Sequence, residues 1–367
     1  MVLEQRPSSG ASALGDPSDA PWLTTERVLL RRPTADDLDD YVRLHSDPRT
    51  YAHAPTSMPT PARCRERLSD DLADWERDEL GYAAVLDRTT GSVIGWAGLR
   101  HKDSDPSALN LYYRLAFDRL GAGLGLEIAR ALVAWASEQR PEAVVTAMVD
   151  ETNAASRRTA ERAGLLSCGV RGRRDEPDAE PMLYFEAPRV ATVSASAIDD
   201  TLSDEIVDLW GRVNDAGGSV GFLPGAPRVA VAAALESHLD DLRGGRSLLC
   251  VLREPAGPLR GLGLWEHDRG FPFEHVAGLK RLMVHPAMQG RNLGRILLGA
   301  MVGIARRELP HVELLRLDYR DGLGLGEFYA RAGWTEVGRL PRGLKLSETD
   351  YRDDVAMARR VDGLPLR

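Results

Sequence analysis

The feature that most constrains what this chain can fold into is an internal repeat. In one half, strand-like runs at residues 82–86 and 93–99 flank a turn at 87–92 and carry Gly95; in the other, runs at 248–252 and 259–264 flank a Pro/Gly turn and carry Gly261. Each pair leads to an extended segment (109–115 or 279–284), a glycine cluster and a helix, then to a strand (144–149 or 313–317) and a short helix. That last helix ends in Ala163-Gly164-Leu165 or in Ala332-Gly333-Trp334, and the interval from Gly125 to Gly164 equals that from Gly294 to Gly333, 39 residues in each. A shared order with a shared spacing implies two copies of one domain, and 367 residues suit two domains of ordinary size.

The helices after the glycines carry apolar stripes at helical period, Ile128, Leu132, Trp135 and Ala136 in one and Leu293, Leu297, Ala300, Met301 and Ile304 in the other, which read as core faces. Pro188 interrupts pairing after a strand-like 182–187, and the run 190–193 starts a new unit, so the expected division is a tail at 1–20 and domains at 21–188 and 189–367. The tail is Ser/Gly/Pro/Asp-rich without the apolar stretch of a secretion signal, and is expected to be disordered in a cytoplasmic protein. Residues 199–210 read as the first helix of the second domain, with Ser203 as N-cap and Glu205 and Asp208 on its wet side.

A strand entering a glycine turn and then a helix offers unpaired amides where the helix dipole favours negative charge, which is a phosphate site. The two clusters are Gly121-Ala122-Gly123-Leu124-Gly125 and Gln289-Gly290-Arg291-Asn292-Leu293-Gly294, the second extended by Arg295. Helix-packing glycines would explain either cluster alone; recurrence at one place in the repeat favours phosphate. A dinucleotide fold fits less well, because neither cluster is G-x-G-x-x-G and no strand-end carboxylate follows. A net charge of -8 disfavours nucleic acid as a partner, and no apolar run approaches the roughly 20 residues of a membrane span. Cys64, Cys168 and Cys250 lack the close spacing of metal ligands, so no metal is expected.

At these residues the chain resembles the GNAT superfamily of acetyl-CoA-dependent N-acetyltransferases, whose coenzyme A loop reads Q/R-x-x-G-x-G/A. The first half is similar to ribosomal-protein N-terminal acetyltransferases, from Thr25-Glu26-Arg27-Val28-Leu29-Leu30-Arg31 through the Gly121 loop to Asn153-Ala154-Ala155-Ser156 and Glu161-Arg162-Ala163-Gly164. The second resembles small-molecule acetyltransferases of the tabtoxin-resistance type at His275, Arg281-Leu282-Met283-Val284-His285-Pro286, the Gln289 loop, Leu317-Asp318, Phe328-Tyr329, Gly333-Trp334 and Gly338-Arg339-Leu340-Pro341. Three positions depart from these patterns. Leu120 stands where the loop has Gln or Arg, Asn292 replaces a loop glycine, and Gly278 stands where that group tends to carry a glutamate suited to act as base.

The resemblance implies an α/β (α+β) architecture of two tandem domains, each a mixed, mostly antiparallel sheet splayed at its centre and flanked by helices. It implies acetyl-CoA as acyl donor, its pantetheine along residues 112–115 or along Leu282, Met283 and Val284. The diphosphate would lie on Gly121, Ala122, Gly123, Leu124 and Gly125, or on Gln289, Gly290, Arg291, Asn292, Leu293, Gly294 and Arg295. Asn153 and Ser156 either position the coenzyme or cap a helix. Tyr329 either protonates the departing thiolate or packs with Phe328; the first half has Ala160 there. For the base the candidates are Asp318, expected to be buried at a strand end and equally suited to a salt bridge, then His275 and Glu274; His285 reads as structural. The expected acceptor is a primary amine of a small molecule such as an antibiotic, an amino acid or a polyamine-like metabolite. The alternatives are a protein N-terminus, or one degenerate half serving as acyl-CoA sensor or scaffold. Loops 47–61 and 214–227 would shape the acceptor site, in a monomer or homodimer.

Overall fold

The computed structural model describes residues 21–51, 57–102, 105–172, 181–255, 257–267 and 270–366. The expected tail at 1–20 and part of the loop 47–61 lie outside them. The strands form two sheets. The first has the order β1-β2-β3-β4-β5-β6-β8-β7, from β1 (Pro21–Thr24), β2 (Val28–Arg31), β3 (Tyr82–Asp87), β4 (Val93–Lys102), β5 (Asp105–Leu115), β6 (Val144–Val149), β7 (Leu166–Arg171) and β8 (Met182–Glu186). The second has the order β14-β15-β13-β12-β11-β10-β9, from β9 (Arg189–Val193), β10 (Ser247–Arg253), β11 (Leu259–His267), β12 (Val276–Val284), β13 (Leu314–Arg320), β14 (Thr335–Lys345) and β15 (Tyr351–Arg360).

One parallel contact stands among the antiparallel pairs of each sheet. It spans three residue pairs in both, Ala108, Leu109 and Asn110 of β5 on Val144, Val145 and Thr146 of β6, and Val276, Ala277 and Gly278 of β12 on Leu314, Leu315 and Arg316 of β13. Beyond Gly278 and Arg316 the register stops, so the two strands part towards the C-terminal end of β12. That opening is the splay that the resemblance implies.

Among the described residues two compact units are distinguished, one of the residues up to Arg100 with Tyr112–Ile128, the other of His101–Leu111 with the residues from Ala129 onward. In the first, α1 (Leu38–His45) and α2 (Pro61–Asp78) bury Tyr41, Leu44, Cys64 and Leu68 against Tyr82, Ala84 and Trp96. Helix α2 starts where Thr60 accepts from the Arg63 amide with Pro61 in its first turn, and stops at Glu79, whose φ of 53° is left-handed.

In the second unit, α5 (Asp200–Asp215) and α6 (Arg228–Arg243) set Leu202, Ile206, Trp210, Val213, Leu235 and Leu239 on one sheet face, over Leu249, Val251, Leu262, Leu264 and Met283. Side chains alternate along a strand, so Gly263 and Trp265 face the other way. There they meet α7 (Leu293–Glu308), Trp265 Nε1 donating to the Met301 carbonyl at 2.9 Å. Leu202 receives its cap from Asp199, whose carboxylate accepts the Leu202 amide at 2.8 Å; the expected cap, Ser203, lies inside the helix, because the extended backbone a cap needs occurs at Asp199.

Helix α7 is buried on more sides than one stripe explains. Besides the sheet it meets the part of α3 (Leu124–Gln139) that belongs to the same unit: a Cβ at Gly303 would stand 2.4 Å from the Glu138 carbonyl, so only glycine permits this approach. Glu138 also pairs with Arg359 at 2.7 Å.

Candidate functional site

The loops heading α3 and α7 repeat one backbone conformation. Gly121 and Gly123 have φ of 77° and 78°; Gly290 and Asn292 have 77° and 65°. A Cβ at Gly121 or Gly290 would meet nothing within 4 Å, so these glycines serve the left-handed turn, not packing, whereas one at Gly125 would lie 3.0 Å from the Tyr113 ring. Asparagine is the residue that best tolerates this region after glycine, so Asn292 preserves the loop it departs from in composition. No side chain caps α7, and among the described residues the amides of Gly290 to Gly294 have no intrachain acceptor. Such amides at a helix start suit an anion.

Charge reaches each loop differently. Leu120 is half exposed, and the cation is Arg27: its Nε donates to Glu127 at 2.6 Å and its Nη1 to the Ala122 carbonyl at 2.8 Å. Glu127 also accepts from Thr25 Oγ1 at 2.6 Å, which fixes the 25–27 turn. At the second loop Arg291 is exposed, and burial lowers the pKa of Arg295. The carboxamide of Asn292 donates to the Arg130 and Ala163 carbonyls, both at 3.1 Å, while Arg130 Nη2 donates to the Gly290 carbonyl at 2.5 Å. Gln289 Nε2 reaches the Val284 carbonyl at 3.4 Å, tying the loop to β12, where Leu282 is half-buried and Met283 and Val284 are buried. Leu293 and Leu124 are buried in their helices' first turns. Asn153 caps α4 (Ala154–Arg162), its Oδ1 accepting from the Ser156 amide at 3.0 Å.

Around the second splay, Tyr329 of α8 (Leu325–Ala330) is buried against Phe328, Tyr319 and Trp334 with ring centroids 5.0 to 6.1 Å away. Burial, then the neighbouring Tyr319, raises its pKa, so the phenol keeps its proton. Asp318 is exposed, contrary to the burial expected of it, because strand alternation sends Leu317 and Tyr319 inward and Asp318 outward. Burial and the Asp318 charge raise the carboxyl pKa of Asp354 on β15. His275 is exposed and precedes β12, at the end where β12 and β13 are still paired; Glu274, half-buried, adjoins it. His285 accepts from the Ala287 amide at 3.2 Å, a structural role.

A polar group that sequence reasoning missed lies across from Gly278. Glu266 is its register partner on β11, His238 Nδ1 stands 3.4 Å from Glu266 Oε1, and Arg281 Nε donates to His238 Nε2 at 3.2 Å. Arg281 has a φ of 55° where β12 bulges, and its guanidinium lies 5.1 Å from the Trp210 ring centroid. The hydrogen bond from His238 lowers the pKa of Glu266, with the charge of Lys280 contributing. Asn214, one turn beyond Trp210, is fully buried with neither amide atom partnered among the described residues. A polar residue on the apolar face of α5 was the legible sign.

The first unit holds a polar group of its own. His45 Nδ1 lies 2.9 Å from the Tyr41 carbonyl and Nε2 3.1 Å from Tyr112 Oη, which also accepts from Arg114 at 3.2 Å. Burial pushes His45 down to about 4 and Asp71, 2% exposed, up to about 7.

Two family comparisons match this chain, an acetyltransferase (GNAT) domain over residues 27–166 and the acetyltransferase (GNAT) family over residues 228–334. Among solved structures it is similar to an acetyltransferase from Agrobacterium tumefaciens at 26% identity, covering 50% of this chain and 98% of that one with a TM-score of 0.39. A GNAT-family acetyltransferase from Bordetella pertussis is 22% identical over 45% of this chain and 98% of its own, TM-score 0.39. An acetyltransferase from Salmonella typhimurium, solved with its cofactor acetyl-CoA, is 17% identical over 49% and 97%, TM-score 0.38.

Proposed function

This chain is a GNAT acetyltransferase with two such domains in tandem, and on that premise we propose that it acetylates a primary amine of a small molecule. The observation that carries the coenzyme half of this reading is the loop conformation repeated at Gly121/Gly123 and Gly290/Asn292, with unpaired amides at the second helix start. GNAT acetyltransferases use acetyl-CoA, which supplies a thioester carbonyl. Gly121 to Gly125 with Arg27, and Gln289 to Arg295, would hold its diphosphate; Leu282, Met283 and Val284 would line its pantetheine. Asn153 and Ser156 shape the helix start of α4.

Tyr329, buried and protonated, is the proposed proton donor to the departing sulfur. Asp318, on the same sheet face as Gly278 and Lys280, would lie along the amine's approach. His275 precedes β12 at the end where β12 and β13 are paired. The small-molecule class is supported by loop 214–227, pinned onto the second unit by Trp210 Nε1 donating to the Val220 carbonyl at 2.8 Å and Arg320 Nη2 to the Gly217 carbonyl at 2.7 Å. A pinned loop confines the amine side, which suits a compact acceptor better than an extended peptide. Thiol release from acetyl-CoA should be measured across a panel of small amines and of peptides with free N-termini. Turnover of a small amine, with kcat reduced and the acetyl-CoA KM unchanged in Tyr329→Phe, is expected; a preference for peptides refutes the acceptor class.

A further inference from the structure

We propose that Glu266 is the residue that takes the acceptor's proton in the second half, held in place by His238 and Arg281. This rests on the proposed function. Residues directly opposite on antiparallel strands project to one face with Cβ positions about 5 Å apart. Glu266 therefore stands beside Gly278, on the face covered by α5 and α6, and a Cβ at Gly278 would have no neighbour nearer than 3.8 Å. The missing side chain leaves room there, at the last residue pair before β12 and β13 part. The Glu266 side chain is one-third exposed, so an amine can reach it.

The hydrogen bonds have one consistent direction. A guanidinium can only donate, so Arg281 Nε–H makes His238 Nε2 an acceptor; the imidazole proton then sits on Nδ1 and is given to Glu266. Arg281 accepts a left-handed backbone to reach this position, a conformation unfavourable for a side-chain-bearing residue that must be offset locally. Its guanidinium packs against Gly221, where a Cβ would stand 2.3 Å from Nη1, and against Trp210. The groups facing the carboxylate are His238 and Asp241 from α6 and Lys280 and Arg281 from β12, with Arg316 of β13 beside Gly278. Donor atoms of His238, Asp241 and Glu266 lie within 4.8 Å of one another, a spacing that a cation could use. However, Arg281 occupies His238 Nε2, and Arg246 holds Asp241 at 2.6 Å, so the cluster is arranged to fix a carboxylate.

In the step assigned to it, Glu266 receives a proton from the bound ammonium, and the freed nitrogen lone pair forms the C–N bond to the acyl carbon as the C–S bond breaks with its electrons on sulfur. The nitrogen loses two protons overall: one passes through Glu266 to solvent, and the other balances the thiolate, leaving an amide and a free thiol. Glu266 is the catalytic residue, while His238 and Arg281 are positioning residues.

The test compares wild type with Glu266→Gln and Glu266→Asp, using the amine that the wild type turns over best. A catalytic proton acceptor contributes about 10² to 10⁴-fold, so Glu266→Gln should lose at least about 10²-fold in kcat near neutral pH with acetyl-CoA affinity unchanged. The loss should shrink as pH rises past the amine's own pKa, where free amine no longer needs a base, and Glu266→Asp should restore part of the rate. A loss under about threefold, or one independent of pH, overturns the proposal. Nitrogen-15 NMR of His238, assigned by its disappearance in His238→Asn, supplies a readout without turnover: a single Nδ1–H tautomer is expected in wild type and a mixture in Arg281→Leu, which removes the donor to Nε2. A mixed tautomer in wild type refutes the arrangement. Failure of wild type to bind acetyl-CoA by calorimetry would instead remove the reading of the loops, while the imidazole spectrum still decides the pair.

Discussion

Replacing Asp71 by asparagine should abolish a loss of stability that the wild type suffers as pH rises. Asp71 lies in the first unit, 2% exposed, with Oδ2 unpartnered among the described residues, and burial raises its carboxyl from 3.8 to about 7. Between those values the folded chain keeps a proton that the unfolded chain releases. The stabilisation is therefore complete below pH 3.8 and is lost as pH climbs through about 7. A rise of that size corresponds to about 4 kcal/mol, of which about 2 to 3 kcal/mol falls between about pH 5 and pH 8. The carboxamide of Asp71→Asn does not titrate, so the stability difference between variant and wild type should move in the variant's favour by about that amount across this interval. Urea unfolding followed by tryptophan fluorescence at the two ends of the interval measures it, and a carbon-13 titration of the Asp71 carboxyl reports the pKa directly. A difference that stays constant over the interval, or a carboxyl that titrates in the ordinary aspartate range, would refute the idea that burial governs this group.

His45 should act in the opposite sense. Burial lowers it from 6.5 to about 4, so the folded chain lacks a proton that the unfolded chain holds, and about 3 kcal/mol of stability should be gained on raising pH through that window and be absent from His45→Gln in the same unfolding series. Both Asn292→Gly and Asn292→Val lose the two carboxamide hydrogen bonds, but Gly keeps the left-handed turn and should bind coenzyme A within a few fold of wild type, whereas the β-branched Val at φ 65° should weaken the second site at least about tenfold by calorimetry. Arg27→Ala should weaken the first site and reduce the salt dependence of binding there, since it removes the cation and frees the Glu127 carboxylate beside a phosphate loop. Gly303→Ala should cost about 1 to 3 kcal/mol in urea unfolding, because its Cβ would press on the Glu138 carbonyl.

The repeat, the glycine turns and the apolar stripes were legible in the sequence, because each expresses a local rule. Backbone at positive φ selects glycine or asparagine, a helix face recurs every three to four residues, and strand pairs end in turns. These rules assigned Gly121, Gly123, Gly290 and the core of α7, and placed Tyr329 next to Phe328. They failed where a side chain's surroundings come from distant strands. Asp318 faces outward, a consequence of strand alternation about Leu317 and Tyr319 that the strand's end obscured. The departures at Leu120, Asn292 and Gly278 looked like losses when read along the chain. In three dimensions Arg27 reaches the first loop from 95 residues away, Asn292 keeps the left-handed turn, and Glu266 stands opposite Gly278. Sequence alone determined where the chain must turn and which faces must be buried; only the tertiary structure decided which charges meet, because a side chain's partners are set by register and packing between segments that no local pattern connects.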